Sequence, residues 1–218
     1  MKAAAASLGA SEQRREEGYT LVALLALMTV LALFALAAAP SIRQQAQRER
    51  EIETIFRGEE VADSIRLYYS YQVRQRGLTA DAALPTSIDQ LLEGVPSGTK
   101  KVQILRASAA LDPLSDSGEW KLVRPRSSQL ADFQRSVMLF AENVRPATND
   151  PQLKRVELLM APPVLPTIDI ASTGVSSAGD DNSTGPFIGV ASGGKGNSVI
   201  NYYGIDRHDG WIFTPLFR

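Results

Sequence analysis

The stretch REEGYTLVALLALMTVLALFALAAAP, from Arg15 to Pro40, limits what this chain can become more than any other part of it. From Tyr19 to Ala39 it runs for 21 residues without a charge. As a helix that length covers about 31 Å, close to the hydrocarbon thickness of a bilayer. A secretory signal has a shorter apolar core, about 7–15 residues, followed by a small-x-small cleavage site. The segment ends in ALAAAP, so cleavage near Ala39 is the alternative. Its length and flanks favour a retained helix.

Charge does not orient that helix. The leader carries Lys2, Arg14 and Arg15, and the far side carries Arg43, Arg48, Arg50 and Arg57. A rule that keeps Lys and Arg on the cytoplasmic side therefore chooses neither end. The whole chain has 218 residues, room for one modest domain beside an anchor, and a net charge of −1, which provides no basic field for nucleic acid. With no cysteine there are no disulfides, thiolate metal sites or Cys nucleophiles. A single histidine leaves little for a Ser-His-Asp triad or a multi-His zinc site.

The helical pattern continues past the apolar run. From Ser41 to Arg76, apolar residues recur at Ile42, Ile52, Ile55, Phe56, Ala62, Ile65, Tyr69 and Val73. Spacings of three and four predict one buried face of an amphipathic helix. The Arg- and Glu-rich remainder reads as solvated, with pairs such as Glu53–Arg57 one turn apart. Pro40, at the junction, lacks an N–H and predicts a bend.

Gly18, then the aromatic Tyr19, then TLVALLALMTVLALFALAAAP with its terminal proline and amphipathic extension, resembles the N-terminal signal of type IV pilins and type II secretion pseudopilins. The resemblance implies that a prepilin peptidase cuts after Gly18 on the cytoplasmic side and methylates the new amine on Tyr19. The apolar helix then anchors the subunit in the inner membrane and later packs in a filament core. Thr20, Ala23 and Pro40 fall in the part that would serve assembly. The family usually places Glu at the fifth mature position, where this chain has Ala23; no carboxylate lies between Tyr19 and Ala39.

The rest reads as a periplasmic α+β domain. LPTSIDQLLEG predicts a short helix capped by Thr86 or Ser87. DPLSDSGEWKLV predicts turns at Asp112-Pro113 and Ser117-Gly118 leading into a strand. SSQLADFQRSVMLFAENV predicts a second helix. The stretch 143–186 is rich in Pro, Ser, Thr, Gly and Asp and predicts a flexible surface loop. PFIGVAS, SVINYYG and DGWIFTPLF read as strands separated by Gly turns. These C-terminal segments also resemble pseudopilins, in which a long helix lies against a small antiparallel sheet. The expected organisation is a leader at 1–18, a membrane or filament-core helix at 19–40, an amphipathic helix at 41–76, a domain from 77–142 and 187–218, and the 143–186 insert.

No catalytic constellation stands out, and no enzyme activity is expected. His208, between Asp206 and Asp209, reads as a turn histidine. Asp180, Asp181 and Asn182 are oxygen-rich, and major pseudopilins hold calcium in a C-terminal loop. The EF-hand ligand spacing is absent here, and a solvated loop is the favoured reading. GVASGGKGNS is not a phosphate loop, because Gly196 rather than Ser or Thr follows Lys195; it predicts a hairpin turn. Trp120 and Trp211 are expected in the core. The implied role is a structural subunit of a type II secretion pseudopilus or a type IV pilus, at the filament tip. Its partners would be prepilin peptidase, other pilins, the inner-membrane assembly platform and membrane lipid, with no nucleic acid and no cofactor. The alternative is a single-pass inner-membrane protein whose periplasmic domain binds a partner and never polymerises.

Overall fold

The computed structural model describes the backbone of residues 5–78, 80–144, 150–159 and 185–217, and the side chains of 19–35, 42–78, 81–144, 150–157 and 185–217. Two compact units emerge, Met1–Gln47 and Arg48–Arg218. Helix α1, Ala5–Arg76, contributes to both. Its backbone stays helical at Pro40. The missing N–H removes one rung of the hydrogen-bond ladder there without ending the helix.

In the second unit, α1 buries Glu51, Thr54, Gly58, Val61, Ala62, Ile65, Tyr69 and Gln72. Apart from the adjacent Val61 and Ala62, steps of three and four put them on one face. Ala62, Ile65 and Tyr69 are buried as the sequence predicts, and Ile55 and Val73 pack at the edge of the core. Ile42, Ile52 and Phe56 are not: each is more than half exposed. Ile52 and Phe56 lie roughly 100–140° round the helix from the line through Glu51, Gly58 and Tyr69. Gly58 sets this phase. A Cβ there would lie 2.2 Å from the Phe213 ring, so only a bare backbone lets the C-terminal strand come so near.

Beyond α1, helix α2 (Ile88–Glu93) follows Ser87. Ser87 makes no side-chain cap bond. Thr86 and Gln90 close the turn instead: Gln90 Oε1 accepts from the Thr86 amide at 3.0 Å, and Gln90 Nε2 donates to Thr86 Oγ1 at 2.8 Å. Strands β1 (Val95–Ser97) and β2 (Lys100–Val102) form an antiparallel hairpin that was not expected from the sequence. They are largely exposed, so they lack the apolar alternation that marks a half-buried strand.

Strand β3 (Lys121–Val123) and helix α3 (Ser128–Phe140) come next. The Ser127 side chain caps α3 by accepting from the Leu130 amide, and Leu130, Phe133 and Val137 point into the core. Helix α4 (Leu153–Leu159) corrects the expectation for 143–186. Leu153 and Val156, three apart, are fully buried, so at least this part of the insert belongs to the core. Polar and proline-rich neighbours obscure a two-residue apolar step in the sequence.

Strand β4 (Gly189–Ala191) is central in a three-stranded antiparallel sheet, between β3 and the last strand. Strands β5 (Asn197–Tyr202) and β6 (Ile205–Arg207) pair separately around Tyr203-Gly204, whose φ values of 52° and 74° give the left-handed turn a two-residue hairpin needs. Strand β7 (Ile212–Phe213) returns to β4, with Val190 opposite Phe213. The fold is therefore α+β: a long helix and, among the described residues, three small antiparallel sheets.

GVASGGKGNS is not a hairpin turn. It links β4 to β5, which belong to different sheets. Asp112 holds it in place: its buried carboxylate accepts from the Gly193 amide at 2.7 Å, the Ser192 hydroxyl at 2.9 Å and the Leu114 amide at 3.0 Å. One acid thus fastens the predicted 112–118 turn to the Gly-rich link. Trp120 and Trp211 are core residues, as expected; their ring N–H groups donate to the carbonyls of Ala109 and Ile205.

Candidate functional site

The most unusual surface lies within the first unit. Gly18 and Tyr19 are helical, so the expected processing junction sits inside α1. Every residue from Tyr19 to Ala35 is exposed, including Thr20 and Ala23. Tyr19 is 78% exposed and Phe34 70%, with Leu24, Leu27, Met28 and Leu31 exposed between them. A helix of a water-soluble domain is apolar on one stripe, whereas this one is apolar all round. Its Thr29 hydroxyl donates to the Ala26 carbonyl at 2.8 Å, which satisfies that polar group without water. Pro40 lies among residues whose side chains are not described. Among the described residues, no helix is long and apolar enough to cross a membrane. The described side chains of this run stop at Ala35, short of the Ala39 that ends it in the sequence.

The second unit contains a buried polar knot. Glu51, expected on a solvated face, is fully buried. Its carboxylate accepts from the amides of Val199 and Ile200 at 2.8–3.0 Å. His208 Nε2 lies 2.9 Å from Glu51 Oε1, within hydrogen-bonding distance, and it is the donor wherever Glu51 is ionised, because a carboxylate only accepts. His208 does stand in a turn between β6 and β7, but a buried one, edge-on to the Trp211 ring at 5.2 Å. Its neighbour Asp209 turns away to Arg207, whose hydrogen bond holds the Asp209 carboxyl below its ordinary value. The knot is closed to substrate and saturated with protein donors. It is built to hold β5 and the His208 turn onto α1 rather than to react.

A second acid on α1, Glu60, receives the Arg106 guanidinium, with Nε 2.8 Å from Oε1. That hydrogen bond, more than any other influence, keeps the Glu60 carboxyl below the usual carboxylate range. Arg106 also lies over the Phe56 ring, 5.4 Å from its centre. The expected Glu53–Arg57 pair forms at 2.7 Å.

Asp180, Asp181 and Asn182, the candidate calcium ligands, lie outside the described residues. Lys195 is exposed on the link between sheets. Sequence reasoning missed Glu51. Stepping back from Ile65 by the helical repeat through Ala62, Gly58 and Thr54 reaches Glu51, so the phase of small and apolar residues was the available signal. Comparison of this chain with protein-family models, with curated protein sequences and with solved structures returned no match.

Proposed function

We propose that this chain is a pilin-like structural subunit whose apolar helix serves first as a membrane anchor and then as a filament-core element. One observation carries the reading: the run from Tyr19 to Ala35 is apolar on all sides and exposed, while the core of the second unit is assembled from residues after Gln47. Such a surface needs a cover that the folded domain does not require for itself. Lipid supplies it before assembly, and the helices of other pilins supply it afterwards.

The Gly18–Tyr19 junction supports processing by prepilin peptidase, with methylation of the Tyr19 amine. In this reading the protein sits in the inner membrane with its α+β domain in the periplasm. An assembly platform extracts it into a type II secretion pseudopilus or a type IV pilus. The role is mechanical, not enzymatic.

The deciding experiment is intact-mass measurement of protein purified from membranes, with sequencing of its first residues. A chain beginning at methylated Tyr19 supports the proposal. A chain that retains Met1, or begins near Pro40, overturns it.

A further inference from the structure

Several exposed arginines of the chain have an acid beside them. Arg57 pairs with Glu53 at 2.7 Å, Arg207 with Asp209 at 2.9 Å, Arg135 with Asp132 at 3.1 Å and Arg126 with Asp81 at 3.2 Å. Arg43, Arg48 and Arg50 on α1 differ. All three are exposed, and none takes part in an ion pair among the described residues. The sequence gives the reason. An acid one turn away would complete a pair, but the residues four ahead are Gln47, Ile52 and Thr54, and those four behind are Ala39, Gln44 and Ala46. Glu49 is the one carboxylate between Arg43 and Arg50, so positive charge prevails in that stretch.

We infer that these arginines bind the phosphate groups of anionic phospholipids at the edge of the bilayer. This site rests on the membrane anchor proposed above and gives that anchor its lipid partner. Arg43 follows Ala39, the end of the apolar run, by four residues. Four residues of helix cover about 6 Å, the depth of one headgroup layer. Arg50 follows two helical turns later, with Arg48 between them.

Side-chain direction favours the contact. A helical side chain leans towards the N-terminus of its helix, which on α1 is the side of the apolar run. A long arginine can then reach back to the phosphates while its stem covers apolar surface. The distribution round the helix also favours lipid over a protein groove. Arg43 and Arg50, seven apart, share one side, and Arg48 lies about 140–160° round from them. A groove engages one side, whereas headgroups surround a helix that leaves a bilayer. All three positions carry the guanidinium fork, which meets two phosphate oxygens at once.

The test uses the full chain reconstituted in phosphatidylcholine vesicles with a trace of spin-labelled phosphatidylglycerol or spin-labelled phosphatidylcholine. The immobilised fraction of each label measures its association with the protein. Phosphatidylglycerol should be favoured at least about threefold at low salt, and less as sodium chloride rises to about 0.5 M. The triple variant Arg43→Gln, Arg48→Gln, Arg50→Gln should lose the preference and immobilise phosphatidylcholine as before, since the apolar run is intact. The double variant Arg14→Gln, Arg15→Gln, on the other flank, should keep most of it. Equal immobilisation of the two labels by the native chain, a preference that survives the triple variant, or one lost in the double variant instead would overturn the inference and leave the anchor standing. Immobilisation of neither label would overturn both. Inorganic phosphate distinguishes lipid from free anion: at matched ionic strength it should release no more label than chloride does. Greater release would assign the arginines to free phosphate and overturn the headgroup site.

Discussion

Glu51 and His208, 157 residues apart in the chain, meet at 2.9 Å in the interior of the second unit. The same carboxylate takes two amides of β5, so one side chain ties three points of the C-terminal region to α1. Glu51→Ala would leave those amides and the imidazole buried without their acceptor. The expected loss is about 3–5 kcal/mol, the usual cost of breaking a buried charged contact from one side. Glu51→Gln keeps one acceptor oxygen and should lose less. Denaturation of residues 43–218, which contain the whole Arg48–Arg218 unit and should fold as a soluble monomer, measures both. A cost below about 1 kcal/mol for Glu51→Ala would show that the knot contributes little.

Gly58 and Phe213 make a prediction of opposite sign to helix propensity. In a solvated helix, Gly→Ala stabilises by about 1 kcal/mol. Here the new methyl would collide with the Phe213 ring, which lies within 2.6 Å of its position at three atoms. Gly58→Ala should therefore destabilise by about 1–3 kcal/mol. Phe213→Leu should cost less in the Gly58→Ala background than in the native one. A double-mutant cycle of the two reads that coupling.

The helix phase can be tested with two isoleucines. Ile65 is fully buried and Ile52 is 52% exposed. Ile65→Asp should cost more than about 3 kcal/mol, and Ile52→Asp about 0.5 kcal/mol or less. Equal midpoint shifts in urea would place both residues on one face and contradict the phase.

Those residues also show what the sequence made legible. Ala62, Ile65 and Tyr69 announce the buried face because apolar spacing persists there for two turns. Towards the N-terminal end of this stretch the signal divides. Ile52 and Phe56 look like core by type, whereas Glu51, Thr54 and Gly58 occupy the buried positions. A partner 157 residues away makes Glu51 burial possible, and no local window contains that partner. Strands β3, β4, β5 and β7 were legible from the turn and Gly residues that bound them. Their assignment to separate sheets was not, because the Asp112 bonds that shape the Gly-rich link are long-range. The apolar run was plain in the sequence.

Acid should weaken the contact between α1 and the segment around Arg106. The Glu60 carboxyl is held below its ordinary 4.5 by the Arg106 hydrogen bond. A depressed acid contributes its stability above the unfolded-state pKa and loses it as pH falls through the lower folded value. The thermal midpoint of residues 43–218 should therefore drop as pH falls below about 4.5. The drop should be smaller in Glu60→Gln, which has no carboxyl to protonate. Parallel curves for the two proteins between pH 6 and pH 3 would remove Glu60 from the account.

Ala23 bears on where the subunit would stand in a filament. In the proposed assembly, each processed chain brings the positive amine of Tyr19 into a bundle of apolar helices. The pilin-like pattern answers that charge with a Glu at the fifth mature position of a neighbour, and this chain offers Ala23. An unpaired charge in such surroundings costs several kcal/mol, most of which a partner recovers. A filament of this subunit alone would repeat the unpaired amine at every step. A subunit at the tip has none ahead of it whose amine it must neutralise. The protein should therefore occur in few copies, at or near the tip, and require partner pilins. Quantitative mass spectrometry of sheared filaments counts the copies. Ala23→Glu should raise its share along the shaft. Long filaments composed mainly of the native chain would overturn the tip position, and the Tyr19 terminus would still decide the pilin-like reading separately.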